Sequence, residues 1–229
     1  MQNLNFGLIE TLRFEPGNGF LRLEQHLQRL QQSATQLGFV FDENAIRTQL
    51  QDHANSAHAL RVRLCLMADG TADIITAVFQ PLPPQMIWTL AIAETRLNSA
   101  DELLRHKTTR RTVYEAARAE FTPEQADEVL LLNEKGELCE GTITSLFADM
   151  ADGILLTPPL ECGLLNGVLR QELLQQGKAR AAVLTLQDLQ KAHRIFVGNS
   201  LRGMIAAQLE RIPKRAKRFS DKIRVQTKS

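Results

Sequence analysis

The chain has 229 residues, 44% of them hydrophobic, and its formal net charge is +1. That length allows one large domain or two small ones, each with its own hydrophobic core. A net charge so close to zero excludes a global field that would attract nucleic acid or a membrane surface. Residues 211–229 differ, because eight basic residues face a single aspartate there. Such a run is typical of a solvated tail, with nucleic-acid contact as the alternative.

Cysteine and histidine spacing argues against structural cross-links. The three cysteines are far apart and form no CxxC pair, and the five histidines show no metal-ligand spacing. The sequence therefore predicts neither a disulfide framework nor a metal site. It also shows no signal-peptide pattern and no apolar stretch of membrane-spanning length. We expect a soluble, cytoplasmic protein with no nucleic-acid or membrane partner.

The first 82 residues predict a small lobe of strands and two helices. Residues 6–14 have strand composition and end at a Pro-Gly-Asn-Gly turn. Apolar residues at helical spacing predict a helix over 21–37 with Gly38 as its C-cap, and Asp42 can cap a second helix that reaches about residue 57. Residues 59–67 alternate polar and apolar side chains and return through an Asp-Gly hairpin turn.

Pro81, Pro83 and Pro84 mark a linker to a larger second lobe. The predicted elements there are a strand at 87–93, a helix at 108–119, a hairpin of strands at 128–133 and 137–150, a strand at 153–157, a helix at 167–175, a capping box at Thr185 and Asp188, and a last strand at 194–200. We therefore predict an α+β fold with a small α/β N-terminal lobe (1–82), a larger lobe with a mixed sheet (83–210) and a basic tail (211–229).

The familiar dinucleotide, phosphate-loop, serine-elbow and metalloprotease motifs are absent from the sequence. Lys107 precedes Arg110 and Arg111 in HKTTRR. Like charges and burial would both disfavour the ammonium form and free the amine for covalent chemistry. The alternative is a solvated basic residue at a helix start.

Two further segments carry possible chemistry. Glu140 interrupts the apolar run VLLLNEKGELCEGTITSLF, and a buried acid there is costly unless it is paired. The alternative is an edge residue that faces solvent. Gly163 and Gly167 precede a predicted helix, whose free backbone N–H groups could bind an anion. A plain junction between loop and helix would look the same.

Six segments together resemble the class IV aminotransferases, the fold-type IV pyridoxal-phosphate enzymes. The resemblance runs from Phe6 to Gly203 and is carried by FGLIETLR, LEQHLQRLQQSATQLGF, HKTTRR, LCEGTITSLF, LLTPPLECGLLNGVLR and VGNSLRG. Branched-chain and D-amino-acid aminotransferases belong to this family, as do 4-amino-4-deoxychorismate lyases. The segments FGLIETLR, HKTTRR and NSLRG are most similar to the corresponding sequences of the lyases.

The resemblance implies pyridoxal 5'-phosphate as cofactor. By that likeness Lys107 would bond to the cofactor aldehyde and act as the base, and Glu140 would pair with the pyridine nitrogen. The cofactor phosphate would be held by Arg29, Gly167, Val168, Leu169, Asn199 and Ser200. Candidate ligands for substrate carboxylates, chosen because aminodeoxychorismate carries two, are Arg13, Arg110 and Arg202.

The resemblance implies a lyase that releases pyruvate and 4-aminobenzoate in folate synthesis. An aminotransferase for branched-chain or D-amino acids and a non-catalytic cofactor-binding partner remain the alternatives. A homodimer is implied as well. Two departures are visible: Ser145 stands where the family usually has Asn, and the chain starts near the first active-site strand. That start predicts either a reduced edge of the first lobe or a gene split from a longer protein.

Overall fold

The computed structural model describes residues 5–210; the predicted basic tail at 211–229 lies outside the described residues. The helices are α1 (Leu23–Leu37), α2 (Glu43–His53), α3 (Thr112–Ala119), α4 (Val168–Gln175) and α5 (Leu186–Lys191). The strands are β1 (Leu8–Glu15), β2 (Gly19–Leu21), β3 (Leu60–Leu66), β4 (Ala72–Val78), β5 (Ile87–Leu97), β6 (Glu128–Asn133), β7 (Leu138–Gly141), β8 (Ser145–Asp149), β9 (Leu155–Thr157), β10 (Ala179–Ala181), β11 (Arg194–Asn199) and β12 (Gly203–Leu209).

The N-terminal part is an antiparallel sheet covered by two helices. Its strand order is β2-β1-β3-β4. The apolar stripes of α1 and α2 pack on one face of this sheet, where Leu27, Leu30 and Ile46 join strand residues such as Leu12 and Val62 in one core. Gly38 ends α1 in the left-handed region, at φ 74°, and its N–H is bonded to the Ala34 carbonyl. The Asp42 side chain accepts from the Ala45 N–H at 3.0 Å and caps α2, as predicted.

The C-terminal part is a mixed sheet that closes on itself. Its order is β10-β9-β8-β11-β12-β5-β6-β7, and β8 pairs again with β7. Six strands therefore form a barrel, with β9 and β10 as an extension beyond β8. The closing pair is Glu140 opposite Ser145. An antiparallel small sheet and a mixed large sheet confirm the predicted α+β class.

Several predicted boundaries were wrong. Helix α2 ends at His53 and not near residue 57, and α3 begins at Thr112 and not at residue 108. The single strand predicted over 137–150 is two strands, because a turn at residues 142–144 reverses the chain. The predicted last strand is followed by β12, which runs parallel to β5 and completes the barrel. Within residues 5–210, none of the helices has the length and apolar character needed to cross a bilayer.

Candidate active site

One cavity of about 550 Å³ collects most of the polar residues singled out from the sequence. Its walls come from β1 and β3 of the small sheet, from α1, from residues 101–114, from the β7–β8 turn, from the start of α4 and from the turn after β11. This volume lies in the range of small-molecule sites, roughly 300–1,000 Å³. The junction of the two sheets is therefore the candidate active site.

Lys107 lies in an extended segment that is held by β1, and not at a helix start. Its carbonyl accepts the Ile9 N–H at 2.7 Å, and the Thr109 N–H donates to the Gly7 carbonyl at 2.9 Å. The β-branched Thr108 forms an antiparallel bridge with Leu8, as extended backbone favours. The position of Lys107 against the cavity is thus fixed by hydrogen bonds from the other lobe.

The surroundings of Lys107 shift its amine toward the neutral form. The residue is partly buried, and among the described residues it takes part in no salt bridge. Burial, together with the guanidinium groups of Arg29 and Arg111, lowers the pKa of Lys107 to about 8, against the opposing attraction of Glu10 and Glu140. With a pKa of about 8, roughly a tenth of this amine is unprotonated at pH 7, far more than for an ordinary lysine. Such a lowered pKa is typical of lysines that act as nucleophile or base.

Glu140 is a buried acid at the point where the barrel closes. Its Oε1 accepts from the Tyr114 hydroxyl at 2.7 Å and from the Leu165 N–H at 3.1 Å. Within residues 5–210, Oε2 has no hydrogen-bond donor. Burial raises the pKa of Glu140 to about 7, although the Tyr114 and Leu165 hydrogen bonds and the charges of Lys107 and Arg111 oppose it. The residue is not the solvent-facing edge position that was the alternative.

The turn that follows Glu140 is organised by Glu128, which the sequence analysis did not single out. The Glu128 carboxylate accepts from the N–H and hydroxyl of Thr142, from the Ile143 N–H and from the Thr144 hydroxyl, at 3.0, 2.6, 3.1 and 2.8 Å. A Cβ on Gly141 would lie 2.7 Å from Glu128 Oε2, so this turn has no room for a side chain there. The four hydrogen bonds hold residues 142–144 against the cavity.

The opposite end of the cavity presents hydrogen-bond donors suited to an anion. We call Arg29, Ser200 and the first turn of α4 the anion end. Gly167 is the N-cap of α4 and supplies no side-chain cap, so the N–H groups of Val168 and Leu169 remain for another acceptor. A Cβ on Gly167 would lie 2.6 Å from Ser145 Oγ, so glycine is needed where these chains approach. Asn199 supports the neighbouring turn: its Nδ2 donates to the Ile143 carbonyl and its Oδ1 accepts the Arg202 N–H.

A buried polar network that the sequence analysis missed supports the anion end. Arg29 donates to both oxygens of Glu10, at 2.8 and 2.6 Å, and to the Asn166 carbonyl at 3.3 Å. His26 bridges Glu10 and Ser200. Burial alone would raise the pKa of Glu10, but Arg29 and His26 lower it to about 2. One signal existed: Glu10 is an acid in an otherwise apolar strand segment, and His26 precedes Arg29 by one helical turn.

Two of the three arginines that we predicted as carboxylate ligands lie at the cavity, and the third does not. Arg110 and Arg202 line the cavity. Arg13 does not: its guanidinium forms a salt bridge with Glu15 and lies 4.3 Å from the centre of the Phe79 ring. Two arginines not singled out as carboxylate ligands also line the cavity. They are Arg61 on β3 and Arg111, which donates to the Thr142 carbonyl and packs over the Tyr114 ring.

Comparison with known proteins gives this arrangement a family. The model of the family described as "Amino-transferase class IV" matches residues 7–209. The chain belongs to the class IV aminotransferases. A Schizosaccharomyces pombe relative, named "Putative aminodeoxychorismate lyase", is 30% identical over 220 residues, which are 91% of this chain and 92% of the relative.

Two solved structures share the fold of this chain. A Mesorhizobium loti protein named "Putative amino-acid aminotransferase" has 52% identity and a TM-score of 0.88, over 90% of this chain and all of that one. The 4-amino-4-deoxychorismate lyase of Pseudomonas aeruginosa has 23% identity and a TM-score of 0.74, over 96% of this chain and 91% of that one. The second likeness shows the fold alone. Both confirm the two-part, fold-type IV architecture predicted from the sequence.

Class IV aminotransferases are pyridoxal-phosphate-dependent enzymes. The cavity offers what such a cofactor needs: an amine with a lowered pKa in Lys107, an oxygen of Glu140 that receives no donor from the described part of the chain, and the start of α4 beside Arg29, where Gly167 supplies no side-chain cap. These groups are chemically matched to an aldehyde, a pyridine N–H and a phosphate. The residues present therefore fit the cofactor of the family.

Proposed function

We propose that this class IV enzyme is a 4-amino-4-deoxychorismate lyase, which eliminates pyruvate from its substrate and leaves 4-aminobenzoate. The observation that carries the proposal is the charge of the cavity. Arg61, Arg110, Arg111 and Arg202 line it in addition to Arg29, while Asp101 and Glu140 are the acids among its lining residues. A substrate with two carboxylates suits such a surface better than a branched-chain amino acid does. The S. pombe relative supports the same assignment.

The proposed roles follow from the positions of the side chains. Arg29, Ser200 and the N–H groups of Val168 and Leu169 would hold the cofactor phosphate. The Glu140 Oε2 would accept the pyridine N–H and keep that proton in place, while Tyr114 and Leu165 hold Oε1. Pyridoxal phosphate, when bound, provides a sink for the electron pair that is left on the substrate carbon.

Lys107 moves the protons in this proposal. Its Nζ takes the proton from the carbon that bears the substrate amine, which requires the neutral amine that burial and the neighbouring arginines favour. As the carbon–oxygen bond to the enolpyruvyl group breaks, the same Nζ returns a proton to the departing group. No oxidant is needed, because the ring becomes aromatic by losing pyruvate. A homodimer, a cytoplasmic location and a place in folate synthesis belong to the same proposal.

An amino-acid aminotransferase is the second candidate, favoured by the name of the M. loti protein. The test is to load the protein with pyridoxal phosphate and add aminodeoxychorismate. A lyase releases pyruvate and 4-aminobenzoate in equal amounts. An aminotransferase gives no pyruvate there, but shifts the cofactor absorbance when it is incubated with an amino acid. A protein that retains no cofactor absorbance after unbound pyridoxal phosphate is removed would contradict both candidates.

Replacing Arg202 with alanine should weaken substrate binding. Burial, and then the like charge of Arg61, lowers the pKa of Arg202. The two guanidinium groups therefore repel each other across the cavity that both line. A substrate carboxylate between them would relieve this repulsion. A hydrogen bond to a charged group contributes about 1.5–3 kcal/mol, so we expect KM to rise about 10–100-fold, with a smaller change in kcat. Steady-state kinetics measure the effect, and the exposed Arg105→Ala is the control. An unchanged KM would remove Arg202 from the substrate site.

A further inference from the structure

Three buried polar side chains, linked by hydrogen bonds, connect the two lobes and end at Ser200 of the anion end. Glu10 Oε2 lies 2.6 Å from His26 Nδ1, and His26 Nε2 lies 2.7 Å from Ser200 Oγ. The three residues come from β1, from α1 and from the turn after β11, and their exposed fractions are 2%, 1% and 8%. Both His26 and Ser200 also line the cavity. Their hydrogen-bond roles therefore bear directly on what the cavity can bind.

The hydrogen atoms in the Glu10–His26–Ser200 network can be arranged in two ways, which differ in the protonation state of His26. Glu10 is ionised at neutral pH and can only accept, so the Nδ1 of His26 carries a hydrogen. If His26 is neutral, its Nε2 is a bare acceptor, and Ser200 must donate its one hydroxyl proton to it. The serine then turns only lone pairs toward an anion. If His26 is protonated, Nε2 donates to Ser200 Oγ, and the hydroxyl proton is free to point into the cavity.

We propose that His26 is a positioning residue that directs the Ser200 hydroxyl proton, so that binding of an anion at the anion end is coupled to uptake of a proton by His26. The ligand is an oxyanion of the phosphate class. This inference rests on the proposed function only in taking the anion end as the phosphate site. The new element is the proton taken up by His26, which follows neither from the fold nor from the family likeness.

The charges around His26 define the direction of the pH dependence. Glu10 faces it from β1, Arg29 from α1 and Lys107 from the segment that pairs with β1. Arg22 donates to the Ser200 carbonyl and is itself paired with Glu172 of α4. Burial lowers the pKa of His26; Glu10 opposes this, and Arg29 and Lys107 add to it. His26 is therefore mostly neutral at neutral pH when no anion is bound.

A bound anion raises the pKa of His26, because it stabilises the imidazolium and its hydrogen-bond pattern. Proton uptake is then largest between the pKa of the anion-free protein and the higher pKa of the complex. Affinity rises as the pH falls through this window and levels off below it. Each unit by which the pKa rises corresponds to a tenfold gain in affinity.

The test uses the full-length protein freed of pyridoxal phosphate, with sulfate as the probe, because sulfate keeps its charge between pH 5 and 8. Calorimetry in buffers of different ionisation enthalpy gives both affinity and protons taken up. We expect about tenfold or more tightening from pH 8 to pH 5 beyond that of His26→Gln, whose amide can donate to Ser200 at every pH. Lys107 and Glu140 also titrate in this range, but they do so in both proteins, so the difference isolates His26.

Two further variants keep the test decisive if His26→Gln does not fold. Ser200→Ala should lose most of the tightening of sulfate binding at low pH that depends on His26. His53→Gln, which changes an exposed residue of α2, should bind sulfate as the wild type does. Equal pH slopes in the wild type and His26→Gln, or a full slope in Ser200→Ala, would overturn the inference and leave the phosphate site intact. No sulfate binding at any pH would count against the anion end itself. Neither result depends on whether the enzyme is a lyase.

Discussion

Replacing Lys107 with alanine is expected to abolish covalent attachment of the cofactor and to lower turnover by about 10³-fold or more, because the variant loses both the nucleophile and the proton carrier. Borohydride reduction of the loaded wild type, followed by digestion and mass spectrometry, should place the pyridoxyl adduct on the peptide that contains Lys107. The same treatment of Lys107→Ala should leave all peptides unmodified. The cofactor absorbance of the loaded protein should also differ between the wild type and Lys107→Ala.

The matched control for this experiment is Lys178→Ala, an exposed lysine after α4. It should keep the adduct on Lys107 and the activity of the wild type. An adduct that persists in Lys107→Ala, or one found on another lysine of the wild type, would show that the amine selected by its lowered pKa is not the reacting one. The pH dependence of adduct formation offers a second check. It should rise through about pH 8, where Lys107 loses its proton.

Replacing Glu140 with glutamine should lower turnover by about 10²–10³-fold while leaving cofactor attachment to Lys107 intact. Removing one partner of a buried charge pair costs about 3–5 kcal/mol, and about 1.4 kcal/mol corresponds to a tenfold rate change. The amide keeps an oxygen for the Tyr114 and Leu165 hydrogen bonds but cannot hold a positive charge on the pyridine nitrogen. The loss should therefore fall on kcat more than on KM.

Stability provides a separate readout for Glu140. Burial raises the pKa of this carboxyl from its ordinary value of 4.5 to about 7, so without cofactor the contribution of Glu140 to stability falls as the pH rises from about 4.5 to 7 and stays level above that. Glu140→Gln should remove this cost, and its melting temperature should depend less on pH between about 4.5 and 7. Glu115→Gln, an exposed position on α3, serves as control. A Glu140→Gln enzyme with wild-type kcat would exclude a charge pair between this residue and the ring.

The sequence alone revealed the residues whose chemistry is unusual for their local setting. Glu140 is a charged residue in an apolar run, and Gly167 stands at a helix start where a side chain that caps the helix would be expected. Each residue type is therefore unusual for its position. Glu10 is unusual in the same way, as an acid in an apolar segment, and the same reasoning would have found it. Arg13, by contrast, shares a strand face with Thr11 of the cavity, but its partners Glu15 and Phe79 could not be read from that pattern.

By itself the sequence predicted the α+β fold class and marked Glu140 as a costly buried acid, because hydrophobic periodicity and the cost of burying a charge are local properties. The family and the expected roles of the site residues came from the resemblance of six segments to the class IV aminotransferases. Only the tertiary structure decided that Lys107 lies in an extended segment clasped by β1, that Arg61 and Arg111 line the cavity, and that His26 reaches Ser200, 174 positions away. These facts depend on which distant segments pack together. No short stretch of sequence encodes that packing.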